Sequence, residues 1–208
     1  MNSRNATKTN WKSKLFIGAL MVSGLFTLSS STCKDDVDDV KPGGGSTGKS
    51  CKSYTLKVGS RANQTLGRFI NIPSGTNYLR ADADRNQGSV DVVTDIWSGT
   101  NPDFLAPNDN NEADDELINW TIKRNTKLNY ITKYDRATFQ NITTNAGIDG
   151  IIATADPNST EAYGGLGTNS VVTVRTVEGV EAVIQIVNVN GNSTDPNGYM
   201  MLDVRVRQ

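Results

Sequence analysis

The chain has 208 residues, with 21 Lys+Arg, 22 Asp+Glu, two cysteines and no histidine. The missing histidine excludes Ser-His-Asp and Cys-His catalysis and removes the commonest general base and metal ligand. Two cysteines are too few for a disulfide framework or a cysteine-rich zinc site, while chemistry built on carboxylates alone is not excluded.

The N-terminal stretch is polarised. Arg4, Lys8, Lys12 and Lys14 come before any acidic residue, and an apolar run from Leu15 to Leu28 follows. That run falls short of the roughly 20 residues a membrane-spanning helix needs and suits a secretory h-region. Small residues from Ser29 to Thr32 lead directly into Cys33. The pattern predicts an export signal over 1–32, a lipidated flexible tether over 33–52 and one globular domain over 53–208. The tether is acidic first, then Pro42-Gly43-Gly44-Gly45-Ser46, a composition that behaves as coil. Four of the 21 Lys+Arg and none of the 22 Asp+Glu precede Cys33, so the remainder carries 17 against 22, a net charge of −5. An acidic domain of this kind is no partner for nucleic acid and has no attraction to anionic lipid.

The small residues followed by Cys33 resemble a bacterial lipoprotein box, with Ser30 where Leu, Val or Ile is usual. Boxes of this looser form are typical of Bacteroidota. Cys33-Lys34-Asp35-Asp36 is similar to the surface-export signal of that phylum, a lysine and two acids after the acylated cysteine. The resemblance implies lipidation at Cys33, export directed by Lys34, Asp35 and Asp36, and anchoring in the outer membrane with the domain facing outward.

Within the domain, Tyr54 to Val58 alternates at period two and predicts a strand, closed by Gly59. A second strand is expected over Leu66 to Ile72 and a short helix within Tyr78 to Asn86, capped by Thr76 or Asn77. Val90 to Trp97 is rich in strand formers. Ser98 to Glu116 reads as a long polar loop pinned by Phe104 and Leu105. Asn119 to Tyr130 is expected as strand. Asp135 to Ile142 predicts a helix with Asp135 as cap. Ile148 to Gly167 reads as irregular, with a short strand at Ile151-Ile152. Val171 to Val177, Val180 to Val189 and Tyr199 to Val206 predict an antiparallel meander, with Glu178-Gly179 as a two-residue hairpin loop. In the last strand Met200, Leu202, Val204 and Val206 share a buried face, while Asp203, Arg205 and Arg207 share a wet one. The middle strand is apolar on both faces and belongs inside the sheet. The fold class expected is α+β, mostly antiparallel β, a sheet or sandwich with one or two short helices.

The series Leu66-Gly67-Arg68-Phe69, Tyr78, Val90-Asp91-Val92-Val93, Phe104-Leu105-Ala106-Pro107, Arg124-Asn125-Thr126, Phe139 and Val174 to Gly179 resembles a recurrent pattern in Bacteroidota outer-membrane lipoproteins. The resemblance brings no activity and no functional residues with it.

Several clusters invite a functional reading. Asp82, Asp84 and Asn86 place oxygens at alternate positions, as a calcium loop begins, but Gln87 and Val93 stand where an EF-hand has glycine and glutamate. Gly164-Gly165-Leu166-Gly167 lacks the Lys-Ser or Lys-Thr of a phosphate loop. Asp109, Glu112, Asp114, Asp115 and Glu116 form an acidic stretch, which is usually a solvated edge. Trp97, Trp120 and Tyr163, with Tyr78 and Tyr130, are candidate stacking rings for a sugar, weighed against core packing. No cofactor is implied. The expectation is a binding or accessory module for a glycan, a peptide or a membrane-protein partner. A carboxylate-dependent hydrolase is the alternative, in which Asp91 and Asp95 are the acids to test.

Overall fold

A computed structural model describes residues 48–97, 101–109, 117–156 and 158–208. The export signal, Cys33 to Asp36 and the acids from Glu112 to Glu116 lie outside the described residues. In chain order the elements are β1 (Lys52–Gly59), β2 (Phe69–Asn71), β3 (Thr76–Tyr78), α1 (Arg80–Arg85), β4 (Val92–Ile96), β5 (Pro102–Leu105), β6 (Lys127–Lys133), α2 (Arg136–Gln140), α3 (Asn145–Ile152), β7 (Glu161–Ala162), β8 (Ser170–Arg175), β9 (Glu181–Asn190) and β10 (Tyr199–Val206). They form two five-stranded antiparallel sheets, a large one ordered β1-β10-β9-β8-β6 and a small one ordered β3-β2-β4-β5-β7. The α+β, β-rich class is therefore the one the protein has.

The two sheets pack face to face. Leu56, Val58, Val172, Val174, Ile184, Ile186 and the Met200, Leu202, Val204, Val206 series of β10 meet Ile70, Ile72, Val92, Ile96 and Phe104 of the small sheet. Each large aliphatic or aromatic side chain buried here contributes about 1.5–3 kcal/mol. β9, apolar on both faces, lies in the interior of its sheet as its sequence requires.

The outer faces are covered too. Phe139 and Ile142, from α2 and its C-terminal turn, join Ile148 and Ile151 of α3 over Val171, Val183 and Cys51. The alternate face of β10 is thus not wet: Asp203 is buried, accepting from Thr55 Oγ1 at 2.7 Å and paired with Arg136 at 3.0 Å. Phe69, Val93 and Leu105 on the far side of the small sheet are covered by Ala83, Val90, Leu117 and Trp120.

The open edges meet one another. Gly59 N–H donates to Gly67 O at 3.1 Å, carrying the β1 edge to the small sheet, and Leu128 N–H donates to Ser159 O at 2.9 Å beside β7. Edges engaged this way are poor templates for another chain. Gly67 permits the first closure, because a Cβ there would sit 2.3 Å from the Tyr78 carbonyl carbon and oxygen.

Several local expectations are corrected. Thr76 to Tyr78 is not a helix cap but a strand paired with Phe69–Asn71. Phe104 and Leu105 are buried as part of β5, a strand within the stretch read as loop. Trp120 and Ile122 precede β6 rather than belonging to a strand. Ile151 and Ile152 end α3, whose Thr144 cap accepts from Gly147 N–H at 3.3 Å. The β8–β9 loop has three residues, since Thr176 N–H donates to Val180 O at 2.9 Å, and Gly179 supplies the positive φ of 81°.

The eight residues of β1 run about 26 Å at the usual strand rise. Chain entry is at one pole, where Cys51 N–H donates to Thr143 O and Asn145 N–H to Lys49 O. Lys49 to Lys52, tether by composition, are part of the folded body. Gly59 opens the opposite pole.

Candidate functional site

The pole opposite the chain entry is built from loops docked on one another. The loop after β1 is fixed to the β9–β10 loop: Ser60 N–H donates to Gly198 O at 3.0 Å, Ala62 N–H to Ser193 O at 3.0 Å, and Asn63 Nδ2 to Gly198 O at 3.0 Å. Arg61 sits between these two backbone anchors. Its guanidinium lies 2.9 Å from Asp95 Oδ2 and 5.7 Å from the centre of the Trp97 ring. The N–H is not aimed along the Asp95 lone pair, so the contact is an ion pair by proximity rather than an aligned hydrogen bond. Asp95 Oδ1 accepts from Ile96 N–H at 2.8 Å. The Asp95 side chain is 2% exposed, while the Trp97 side chain above it leaves the residue 43% exposed.

Strand alternation decides what else shares this face. Val92 and Ile96 point into the core between the sheets, so Asp95 and Trp97 point outward. Asp103 of β5 is directly opposite Asp95. Like charges in that position are unfavourable unless a cation intervenes, which is what Arg61 supplies beside Asp95. Ala162 of β7 is opposite Phe104 and packs in the core, so Tyr163 turns outward next to Asp103 and is 59% exposed. Asp95, Asp103 and Tyr163 therefore form one row across three strands. Trp97 and Tyr163 are separated by two strand spacings and two residues of rise, about 12 Å between Cα atoms.

The other buried carboxylate has a different setting. Asp91 is fully buried; its Oδ2 accepts from Ile72 N–H at 2.8 Å and its Oδ1 lies 2.9 Å from Arg124 Nε. Burial pushes the Asp91 carboxyl above the usual range, and the Ile72 N–H and Arg124 partly offset it. Tyr54, whose hydroxyl donates to Ile72 O at 2.5 Å, is pushed upward by burial and by Asp91, so it stays a neutral donor. Arg124 also pairs with Glu178 of the β8–β9 loop and donates to Gly88 O. This cluster ties the 117–126 segment, the turn before β4 and the hairpin together.

Asp82, Asp84 and Asn86 are not brought together around a common point. Asp82 and Asp84 lie on helix α1, where neighbours two apart diverge. Asp82 pairs with Arg85; Asp84 pairs with Arg80 at 3.1 Å and accepts from Trp120 Nε1 at 2.7 Å. Asn86 turns back to the Asp82 carbonyl at 2.8 Å. Among the described residues no group of three or more Cys, Asp or Glu converges as a metal site. Trp120 is 6% exposed and tilts against Phe69 at 5.6 Å between ring centres, so its face is not open for stacking. Tyr78 and Tyr130 are half-buried against the core. Gly164 and Gly165 have φ of 74° and 83° and form a turn after Tyr163. A recess between Lys127, Ile152, Asp156 and Arg175 encloses about 40 Å³, little more than room for a water molecule or two.

The sequence pointed to Trp97 and Tyr163 by ring type, and to Asp95 as an acid, but gave no sign of Arg61 or Asp103. Asp103 was legible only with β5 recognised, because its significance is its register. No protein-family model, curated protein or solved structure matches the chain.

Proposed function

We propose that this protein is a lipid-anchored outer-membrane lipoprotein that faces the cell exterior and binds a glycan, a peptide or a partner protein without transforming it. The N-terminal residues support the anchor: a basic start, a short apolar run, small residues and Cys33-Lys34-Asp35-Asp36. The observation that carries the binding reading is the pair of exposed rings, Trp97 and Tyr163, at the pole opposite chain entry. A tether attached at Lys49 leaves that pole turned away from the membrane. The two acids on which a hydrolase would rest are each engaged by arginine, Asp91 by Arg124 and Asp95 by Arg61. A glycosidase needs two carboxylates held across a gap that admits substrate, whereas Asp95 and Asp103 are strand neighbours on one surface.

The anchor is tested with Cys33→Ala, which is expected to abolish fatty-acid labelling and release the protein from the membrane fraction. Labelling that survives the substitution overturns it. Alanine at Lys34, Asp35 and Asp36 together is expected to keep the lipid but remove protease accessibility in intact cells. Binding without turnover is tested by recovering partners of the tagged protein from solubilised membranes beside a panel of glycosidase substrates. Turnover that disappears in Asp95→Asn would establish the hydrolase instead.

A further inference from the structure

We propose that residues 117–122 form a strap that opens as a unit of its own, uncovering Phe69, Val93 and Leu105 while both sheets stay folded. The opening is a property of the chain alone and needs no ligand. Three observations carry it. First, the strap joins neither sheet and is fastened to the body through side chains. A single atom, Gln87 Oε1, accepts from both Thr121 N–H at 2.9 Å and Ile122 N–H at 3.1 Å. Asp84 Oδ1 accepts from Trp120 Nε1 at 2.7 Å. The Trp120 backbone N–H goes to Leu117 O at 3.0 Å, inside the strap. Gln87 is half-buried and the Asp84 side chain is 44% exposed, so water replaces these bonds at small net cost. The strand β9, by contrast, is paired with β8 on one side and β10 on the other. Second, the apolar hold of the strap is divided. Leu117 and Trp120 are buried with Phe69, Val93 and Leu105, whereas Ile118 and Ile122 are 66% and 54% exposed. A segment with few buried apolar contacts and solvent-accessible hydrogen bonds opens at a lower free energy than the whole fold. Third, the attachment changes at Arg124. Its side chain is 11% exposed, lies 2.9 Å from buried Asp91, pairs with Glu178 and donates to Gly88 O. Its carbonyl accepts from Asn108 N–H at 3.3 Å, and Thr126 just beyond is fully buried. Lys123 is therefore the pivot between a lightly fastened stretch and a pinned one. Opening uncovers a defined surface. The Phe69 ring, 5.6 Å from the Trp120 ring when closed, has the Arg68 and Arg80 guanidiniums 4.9 and 5.7 Å from its centre.

The experiment is native-state hydrogen exchange of the purified full chain, read amide by amide in urea concentrations below the unfolding transition. The Thr121 and Ile122 amides are expected to exchange roughly a hundredfold or more faster than those of Val183 and Ile184 in β9, with almost no dependence on urea. Gln87→Ala, which removes the shared acceptor, is expected to speed Thr121 and Ile122 about tenfold while β9 exchange and the urea midpoint stay where they are. Trp120→Phe keeps a ring against Phe69 but loses the bond to Asp84, and is expected to speed the same two amides. Exchange of Thr121 and Ile122 at the rate and urea dependence of β9 overturns the strap, because the segment then opens only with the whole fold. A Gln87→Ala effect shared equally by β9 overturns it in the same way. Amides at 121 and 122 with no protection at all overturn it too, since no closed state would then exist to open.

Discussion

At Asp91 the fold places a carboxylate where water does not reach, and at Asp135 it gives one two donors in the open. Asp135 accepts from Thr138 N–H at 2.9 Å and from the Thr138 hydroxyl, and its pKa is lowered chiefly by those bonds. A lowered carboxyl pKa contributes stability present above the unfolded value and lost as pH falls through the folded one. Asp91 is raised, chiefly by burial, so its contribution is greatest below the unfolded value of about 3.9 and is lost as pH rises through the folded one. Urea unfolding at pH 3 and pH 6 separates them. The margin of the natural protein over Asp135→Asn is expected to widen with rising pH, and its margin over Asp91→Asn to narrow. Arg124→Ala leaves Asp91 buried beside only the Ile72 N–H and is expected to cost about 3–5 kcal/mol, read from the shift of the urea midpoint. The Asp135 cap was legible in sequence because both partners lie within one turn. The Asp91–Arg124 and Asp95–Arg61 pairs were not, since in each the partners come from segments far apart in the chain and nothing local marks them.

At the scale of elements, alternation read β8, β9 and β10 with their faces, because each has six or more residues with one side in the core. It missed β5, a four-residue strand beginning at Pro102 and carrying Asp103. Proline and aspartate are both poor strand formers, and only the pairing with β4 outweighs them. It missed α3 because Gly147, Gly150 and three isoleucines argue against helix, while burial of Ile148 and Ile151 on the large sheet argues for it more strongly. The two glycines that matter most make separable predictions. At Gly179 a Cβ meets nothing within 4 Å, so Gly179→Ala isolates the backbone cost of φ 81°, about 1–2 kcal/mol. At Gly67 the Cβ meets the Tyr78 backbone, which cannot swing aside, so Gly67→Ala is expected to destabilise by a larger margin and to loosen the Gly59–Gly67 closure. Hydrogen exchange at the Gly59 amide distinguishes the two variants.

For the whole molecule, composition placed the start of the globular body at Ser53, whereas hydrogen bonds carry it back to Lys49. Lysine, serine and cysteine at 49–51 look like linker, yet Cys51 is buried against α2 and α3 and Ser50 bridges Thr144. A protein beginning at Gly48 is expected to melt as the full chain does. One beginning at Ser53 loses the buried cysteine and two backbone bonds, and a loss of about 2–4 kcal/mol is expected by urea unfolding. Equal midpoints for the two truncations would show the five residues 48–52 to be dispensable. The α+β, mostly antiparallel β class followed from the strand pattern; the covering of the outer faces did not, because the covering helices have only five to eight residues.

Asn145 holds both ends of the folded body. Its backbone N–H donates to Lys49 O at 2.9 Å, and its side chain exchanges hydrogen bonds with the Gln208 backbone at 2.6 and 3.0 Å. A cargo fused after Gln208 therefore emerges on the same side as Lys49. Since the ends adjoin, a short Gly-Ser bridge from Gln208 to Lys49 can close the chain into a ring, and reopening it between Gly164 and Gly165 gives a circular permutant. That rearrangement would move both new termini to the opposite pole beside Trp97, so that the domain can be grafted by its crown.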